Sequence, residues 1–190
     1  MPFIAIHRET EQKIDISEIE NPRAVLKSGD WVCQLCNKPL IIKAGFIVAA
    51  HFAHYAGECT SDYKAHPESP EHRFAKKKLA ALLKEKMGEY SDAFVDYEVR
   101  VPEVNRVADV MAVFPMGWRV VHEVQLASTT SEELEQRSND YNRAGIDVVW
   151  WLGKNADTPG NRAWCIRTFG YSLRIAVLTE EASEPLEIGA

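Results

Sequence analysis

Nothing in this 190-residue chain approaches the roughly 20 consecutive apolar residues of a membrane helix; Ile41 to Ala50 is broken by Lys43 and Gly45. The first residues mix His7, Arg8, Glu9 and Glu11 into the apolar run, so the continuous hydrophobic centre of a secretion signal is missing. The expected location is cytoplasmic, with no membrane partner. Cysteine is scarce: four unevenly placed residues exclude a disulfide scaffold. Positive charge is also short. A formal net charge of -6 argues against a whole-surface cationic binder of nucleic acid, though not against a local patch. One patch exists between Lys64 and Gly88, where seven basic residues face three acidic ones, a local balance of +4. There is no internal repeat or low-complexity tract. A hydrophobic content of 46% supplies one sizeable core and excludes disorder as the main state.

Residues 1–65 are a patchwork of short apolar runs with a cluster of Cys and His, read as a small module of its own. Tyr63 to Pro70, with two prolines and no apolar period, reads as the linker. Residues 66–180 form the second domain and 181–190 an acidic, frayed tail. In the second domain Ser69 is a plausible N-cap and Pro70 suits the first helical position. Phe74, Leu79, Leu82, Leu83 and Met87 then recur at helical spacing until Gly88. Three strand-like segments follow, Ala93 to Val101, Val107 to Phe114 and Trp118 to Leu126, the last two joined at the turn Pro115-Met116-Gly117. Ser131 to Ala144 reads as an exposed helix stopped by Gly145, and Asp147 to Leu152 as a buried strand. Trp164 to Phe169 and Ser172 to Leu178 read as a hairpin around Gly170. This order predicts an α/β domain with a mixed sheet.

Cys33 and Cys36 stand two residues apart, His51 and His54 likewise, with fourteen residues between the pairs. A tetrahedral Zn²⁺ takes four such ligands, and each short gap lets a turn present two side chains to one ion. Four closed positions leave none for a substrate water, so the predicted site is structural. It staples a module with few large apolar groups. Cys59 and, more distantly, His66 are alternative ligands.

A second constellation starts at Asp109, which interrupts the apolar run Arg106-Val107-Ala108-Asp109-Val110. On the next strand Glu123 and Gln125 share one face. If the two strands are antiparallel neighbours, Asp109 and Glu123 converge on one cation, with the Val124 carbonyl as a third ligand. Such hard oxygen donors suit Mg²⁺ or Mn²⁺. A cation there activates a water and neutralises a phosphoryl oxygen, as phosphodiester hydrolysis requires. Many sites of this shape carry Lys where Gln125 stands. Spacing alone equally allows two exposed strand-end carboxylates.

The joined pattern resembles the competence protein CoiA-like family. It runs through Cys33-x2-Cys36, His51-Phe52-Ala53-His54, Glu68-Ser69-Pro70-Glu71-His72 with Lys76, and Arg106 to Val110. It continues with Glu123-Val124-Gln125, Arg137 with Tyr141, and Val149-Trp150-Trp151-Leu152. The resemblance implies a zinc-finger-like module followed by a restriction-endonuclease-like PD-(D/E)XK core, a central mixed sheet flanked by helices, with a part in DNA processing in competence and recombination. It makes Asp109 and Glu123 the metal-binding carboxylates, puts Gln125 in the slot of the usual Lys, and adds Glu71 as a helix-borne acid. His72, Lys76, Arg137 and Tyr141 are then the expected nucleic-acid contacts. Their plainer readings are a surface histidine, a solvated lysine face and an Arg137–Glu133 pair; Glu71 equally suits the helix N-terminus on its own.

The expected function is a metal-dependent nuclease acting on single-stranded, duplex or branched DNA, as a homodimer where both strands are cut. The alternative is a zinc-stapled nucleic-acid-binding or adaptor protein whose core no longer cleaves. A protein-interaction domain without a nucleic-acid partner is the third reading.

Overall fold

Short apolar runs at the start of the chain pair into two small sheets in the computed structural model, which describes residues 3–45, 49–55, 68–177 and 186–189. Ile4–His7 (β1) lies antiparallel between Lys13–Asp15 (β2) and Trp31–Val32 (β3), with the short helix Pro22–Val25 (α1) between β2 and β3 in sequence. Leu40–Lys43 (β4) and His51–His54 (β5) form an antiparallel hairpin. Phe3, Ala5, Ile16, Trp31, Leu40, Ile42 and Phe52 make a small core together with Cys33. The chain divides into two compact units, Met1–Glu68 and Ser69–Ala190. Cys59, His66 and linker residues 63–67 lie outside the described residues. Among the described residues, no helix is long and apolar enough to cross a membrane.

The second unit opens with Pro70–Lys86 (α2). Ser69 Oγ accepts the His72 amide at its N-terminus and Pro70 occupies the first turn, as its spacing predicts. The stripe Ala75, Leu79, Ala80 and Leu83 is buried. Phe94–Val101 (β6), Arg106–Val113 (β7) and Arg119–Gln125 (β8) form an antiparallel meander. Met116 (φ 71°) and Gly117 (φ 85°) make the tight turn between β7 and β8. Ser131–Arg143 (α3) starts at a capping box of Thr130 and Glu133, and Gly145 follows at φ 67°. Asp147–Leu152 (β9) runs parallel to β8, and Pro159–Phe169 (α4) leads to Leu173–Val177 (β10), parallel to β9. Leu186–Gly189 (β11) closes the sheet antiparallel to β10, giving the order β11-β10-β9-β8-β7-β6. This is the mixed sheet flanked by helices that the sequence predicts. α2 packs against Val95, Val110, Ala112, Val124 and Trp151 on one face; α3 and α4 pack against Val101, Met111, Val121, Val148 and Trp150 on the other.

Two expectations fail. Trp164 to Phe169 is helix, not one arm of a hairpin, because consecutive parallel strands need a crossover and α4 supplies it. The tail is not frayed at 186–189, which pair in register with β10.

Strand β6 changes faces. Val95 and Tyr97 join the core under α2, whereas Val99 and Val101 join the core under α3 and α4. A regular strand would keep all four on one face. The switch falls at Glu98, whose backbone is left-handed (φ 52°).

On β8, His122 sits between Tyr90 and Trp151, and its Nδ1 accepts the Trp151 indole N–H at 3.1 Å. Nε2 has no hydrogen-bond partner among the described residues, and burial pulls the imidazole down to about 4 from 6.5. A histidine depressed by folding contributes fully above the unfolded value, and that contribution is lost as pH falls from about 6.5 toward 4. Urea unfolding in chelator should therefore show the second unit losing on the order of 3 kcal/mol over that interval. His122→Phe should flatten the profile; an unchanged slope in the variant assigns the loss to other groups.

Candidate functional site

The register Tyr97↔Val110, Val99↔Ala108 and Val110↔His122 sets Glu98, Asp109 and Glu123 side by side on β6, β7 and β8. All three are buried, at 8%, 7% and 1% exposure. Buried carboxylates require partners, and the structure supplies them from both helical layers. From α2, His72 Nε2 lies 3.3 Å from Asp109 Oδ2 and 2.7 Å from the Val124 carbonyl, to which it donates. The Val124 amide donates to Asp109 Oδ2 at 2.8 Å. Lys76 Nζ pairs with Glu98 Oε1 and stands 3.8 Å from Asp109 Oδ1. From α3, the Tyr141 hydroxyl donates to Glu123 Oε1 at 2.6 Å and Arg137 meets Glu123 Oε2 at 2.6 Å.

The two carboxylates expected to bind metal are shifted in opposite directions. Burial alone pushes Asp109 up, but the charge and hydrogen bond of His72, with Lys76 and Arg137 nearby, hold it well below the usual carboxylate range. Burial pushes Glu123 up to about 7 against the pull of Arg137, and the negative Asp109 adds to the rise. The structure therefore brings Asp109 and Glu123 together with His72, Lys76, Arg137 and Tyr141.

Several sequence-based assignments need correction. Lys76 is 2% exposed and Tyr141 fully buried, so neither is a surface phosphate contact; both serve the carboxylates. His72 and Arg137 are likewise turned onto Asp109 and Glu123. Glu133 closes the N-terminal cap of α3, while Arg137 meets Glu123. Glu71 is exposed; its partners are its own amide and Ser69 at the start of α2, while its neighbour His72 reaches the site. Gln125 donates Nε2 to the Ala127 carbonyl at 2.9 Å. Glu98 is the site residue that sequence reasoning missed. Lys76 was legible as a charge on the buried stripe, three residues before Leu79 and seven before Leu83.

Replacing Tyr141 by Phe removes one donor from a carboxylate with no access to water. The expected cost is about 1–3 kcal/mol in urea unfolding of the second unit; a neutral change would mean that Arg137 alone satisfies Glu123.

In the first unit, Cys33 and Cys36 sit on a tight turn in which the Asn37 amide bonds the Cys33 carbonyl at 2.9 Å and Asn37 is left-handed (φ 58°). Cys33 Sγ, Cys36 Sγ and a nitrogen of His54 lie within 4.8 Å of one another, with Cys36 Sγ 3.3 Å from His54 Nε2. Burial pushes the Cys33 thiol up to about 12. This donor set suits a soft or borderline cation. His51 is not part of the cluster. Residues three apart on a strand point to opposite faces, and His51 Nδ1 donates to the Ala49 carbonyl at 2.9 Å.

Comparison with known proteins agrees with this layout. Residues 68–180 match the family model described as competence protein CoiA, nuclease-like domain, and residues 12–62 match competence protein CoiA, N-terminal domain. The competence protein CoiA of Bacillus subtilis (strain 168) is 30% identical over 129 residues, which is 67% of this chain and 32% of that protein. The chain thus spans about a third of the length of this curated relative. A repair endonuclease from Pyrococcus abyssi, known from its crystal structure, has 18% sequence identity and a TM-score of 0.34, covering 54% of this chain and 45% of its own.

Proposed function

The chain belongs to the competence protein CoiA family, of which it carries the N-terminal and nuclease-like domains, and from this we propose that it is a metal-dependent nuclease hydrolysing DNA phosphodiester bonds. The observation that carries this reading is the buried pair Asp109 and Glu123 on neighbouring strands, held in place by groups from two helices. Their donor chemistry fits a hard divalent cation, Mg²⁺ or Mn²⁺. Two carboxylates lie side by side, and the Asp109 charge raises Glu123, so a cation would relieve their repulsion. Bound there, it would supply activation of a water and neutralisation of charge on a phosphoryl oxygen. In the hydrolysis, the oxygen of water forms a bond to phosphorus, one P–O ester bond breaks, and the departing oxygen takes up a proton.

This chain's own residues set the stage. Tyr141 and Arg137 fix the orientation of Glu123, His72 holds Asp109 and the Val124 carbonyl, and the Val124 amide fixes the same Asp109 oxygen, Oδ2, leaving Oδ1 toward Lys76. In the N-terminal unit, Cys33, Cys36 and His54 would hold a structural Zn²⁺.

One observation favours the non-cleaving adaptor as the second reading: Arg137, Tyr141, His72 and Lys76 already surround the carboxylates, and the Gln125 amide is turned to Ala127. End-labelled single-stranded, duplex and branched DNA, incubated with the protein in Mg²⁺, Mn²⁺ or EDTA, separates the two. Metal-dependent cutting is expected. Salt-sensitive binding with no cutting on any substrate would select the adaptor.

A further inference from the structure

Resting on the nuclease reading, we propose that Lys76, positioned by Glu98, supplies to the Asp109–Glu123 site the positive charge that position 125 does not carry. Gln125 is neutral, and its Nε2 is committed to the Ala127 carbonyl. Charge stabilisation on a phosphoryl group has to come from another part of the fold. Among the described residues Lys76 is the one buried lysine, at 2% exposure. It stands one helical turn after His72 on α2, and both residues reach the same carboxylate: His72 meets Asp109 Oδ2 at 3.3 Å, and Lys76 Nζ is 3.8 Å from Oδ1.

Stability does not explain a lysine there. Its neighbours on the buried face are Ala75, Leu79, Ala80 and Leu83, and an apolar side chain would fill the position without desolvating an ammonium. The second observation is Glu98. It pairs with Lys76 Nζ from the strand beside Asp109, and it does so from a left-handed backbone (φ 52°) at the point where β6 changes faces. Such backbones are disfavoured for a non-glycine residue and persist where the surroundings fix them. Glu98 and Asp109 thus hold the ammonium between them, beside Glu123. The assignment makes Lys76 the cationic group of the site and Glu98 a positioning residue.

The test is steady-state cleavage of end-labelled DNA in Mn²⁺ by the wild type, Glu98→Gln, the pair Lys76→Met with Glu98→Gln, and that pair with Gln125→Lys added. The pair removes both charges of the ion pair, so Glu98 is not left buried against a lost partner and Asp109 keeps His72 and the Val124 amide; thermal melting is followed alongside. The pair should lower kcat by about a hundredfold with KM and melting little changed. Gln125→Lys should recover about tenfold of that loss by returning the charge from β8. Glu98→Gln alone should give a smaller fall in kcat. Cutting by the pair at the wild-type rate would overturn the inference and leave the nuclease reading standing. A loss that Gln125→Lys does not relieve would make Lys76 structural and overturn it too. No cutting by the wild type would sink the nuclease reading itself, and the role of Lys76 with it.

Discussion

Asp109→Asn combined with Glu123→Gln should abolish the proposed metal-dependent cleavage, a loss expected to be on the order of a thousandfold or more. Both charges of the pair disappear, so a divalent cation loses its anionic ligands while the side-chain shapes remain. The amide variants are chosen for a structural reason. Asp109 Oδ2 accepts the Val124 amide and Glu123 is held by Tyr141 and Arg137. Alanine at both positions would leave His72, Lys76 and Arg137 facing one another around a cavity, and a buried charge without its partner costs about 3–5 kcal/mol. Asn and Gln keep an acceptor oxygen at each position, so a lost activity can be read against a retained fold. The measurement is the rate of cutting of end-labelled DNA in Mn²⁺ together with urea unfolding of the same preparations. Wild-type rates in the doubly substituted protein would assign the cutting to a contaminant or to another site.

Purified protein should carry about one zinc per chain, and removing it should unfold the N-terminal unit. The core of that unit is a handful of residues around Trp31, Leu40 and Phe52, too small to stand without a staple. A metal held by Cys33, Cys36 and His54 would tie the Cys33–Cys36 turn to β5. In isolated zinc modules metal binding is worth about 10–16 kcal/mol at neutral pH, and that energy is folding energy. Cys36→Ser and His54→Ala should therefore lose zinc and protease resistance in residues 3–55, while the second unit keeps its unfolding transition. His51→Ala is the discriminating variant. The paired spacing in the sequence makes it a ligand, whereas the strand turns it toward the Ala49 carbonyl. Zinc retained in His51→Ala supports the strand geometry; zinc lost restores the paired-histidine reading.

The repetitive features of this chain were legible because they are local. The helix period of α2, the cap at Ser69, the three alternating strands with their Pro115-Met116-Gly117 turn, and the run Asp147 to Leu152 each depend on residues within one turn or one strand. α4 had local signals as well: Thr158 before Pro159, and Gly170 beyond the last turn at φ 83°. They were outweighed by the aromatic and branched residues between Trp164 and Phe169, which suit a strand equally well. Only the parallel alignment of β9 and β10 demands a helix there.

The sequence by itself determined which chemistry is available: two carboxylates spaced for adjacent strands, a Cys pair spaced for a turn, and a neutral Gln125 in place of a lysine. The tertiary structure decided where each group acts. Lys76 and Glu98 are 22 residues apart in the chain yet share one ion pair, and Tyr141 reaches Glu123 across 18. Such convergence follows from strand register and from the layers on which α2 and α3 pack, neither of which has a period that a linear reading can count. The left-handed backbone of Glu98 and the opposed faces of His51 and His54 belong to the same class, since a residue's direction is set only when its strand has been paired.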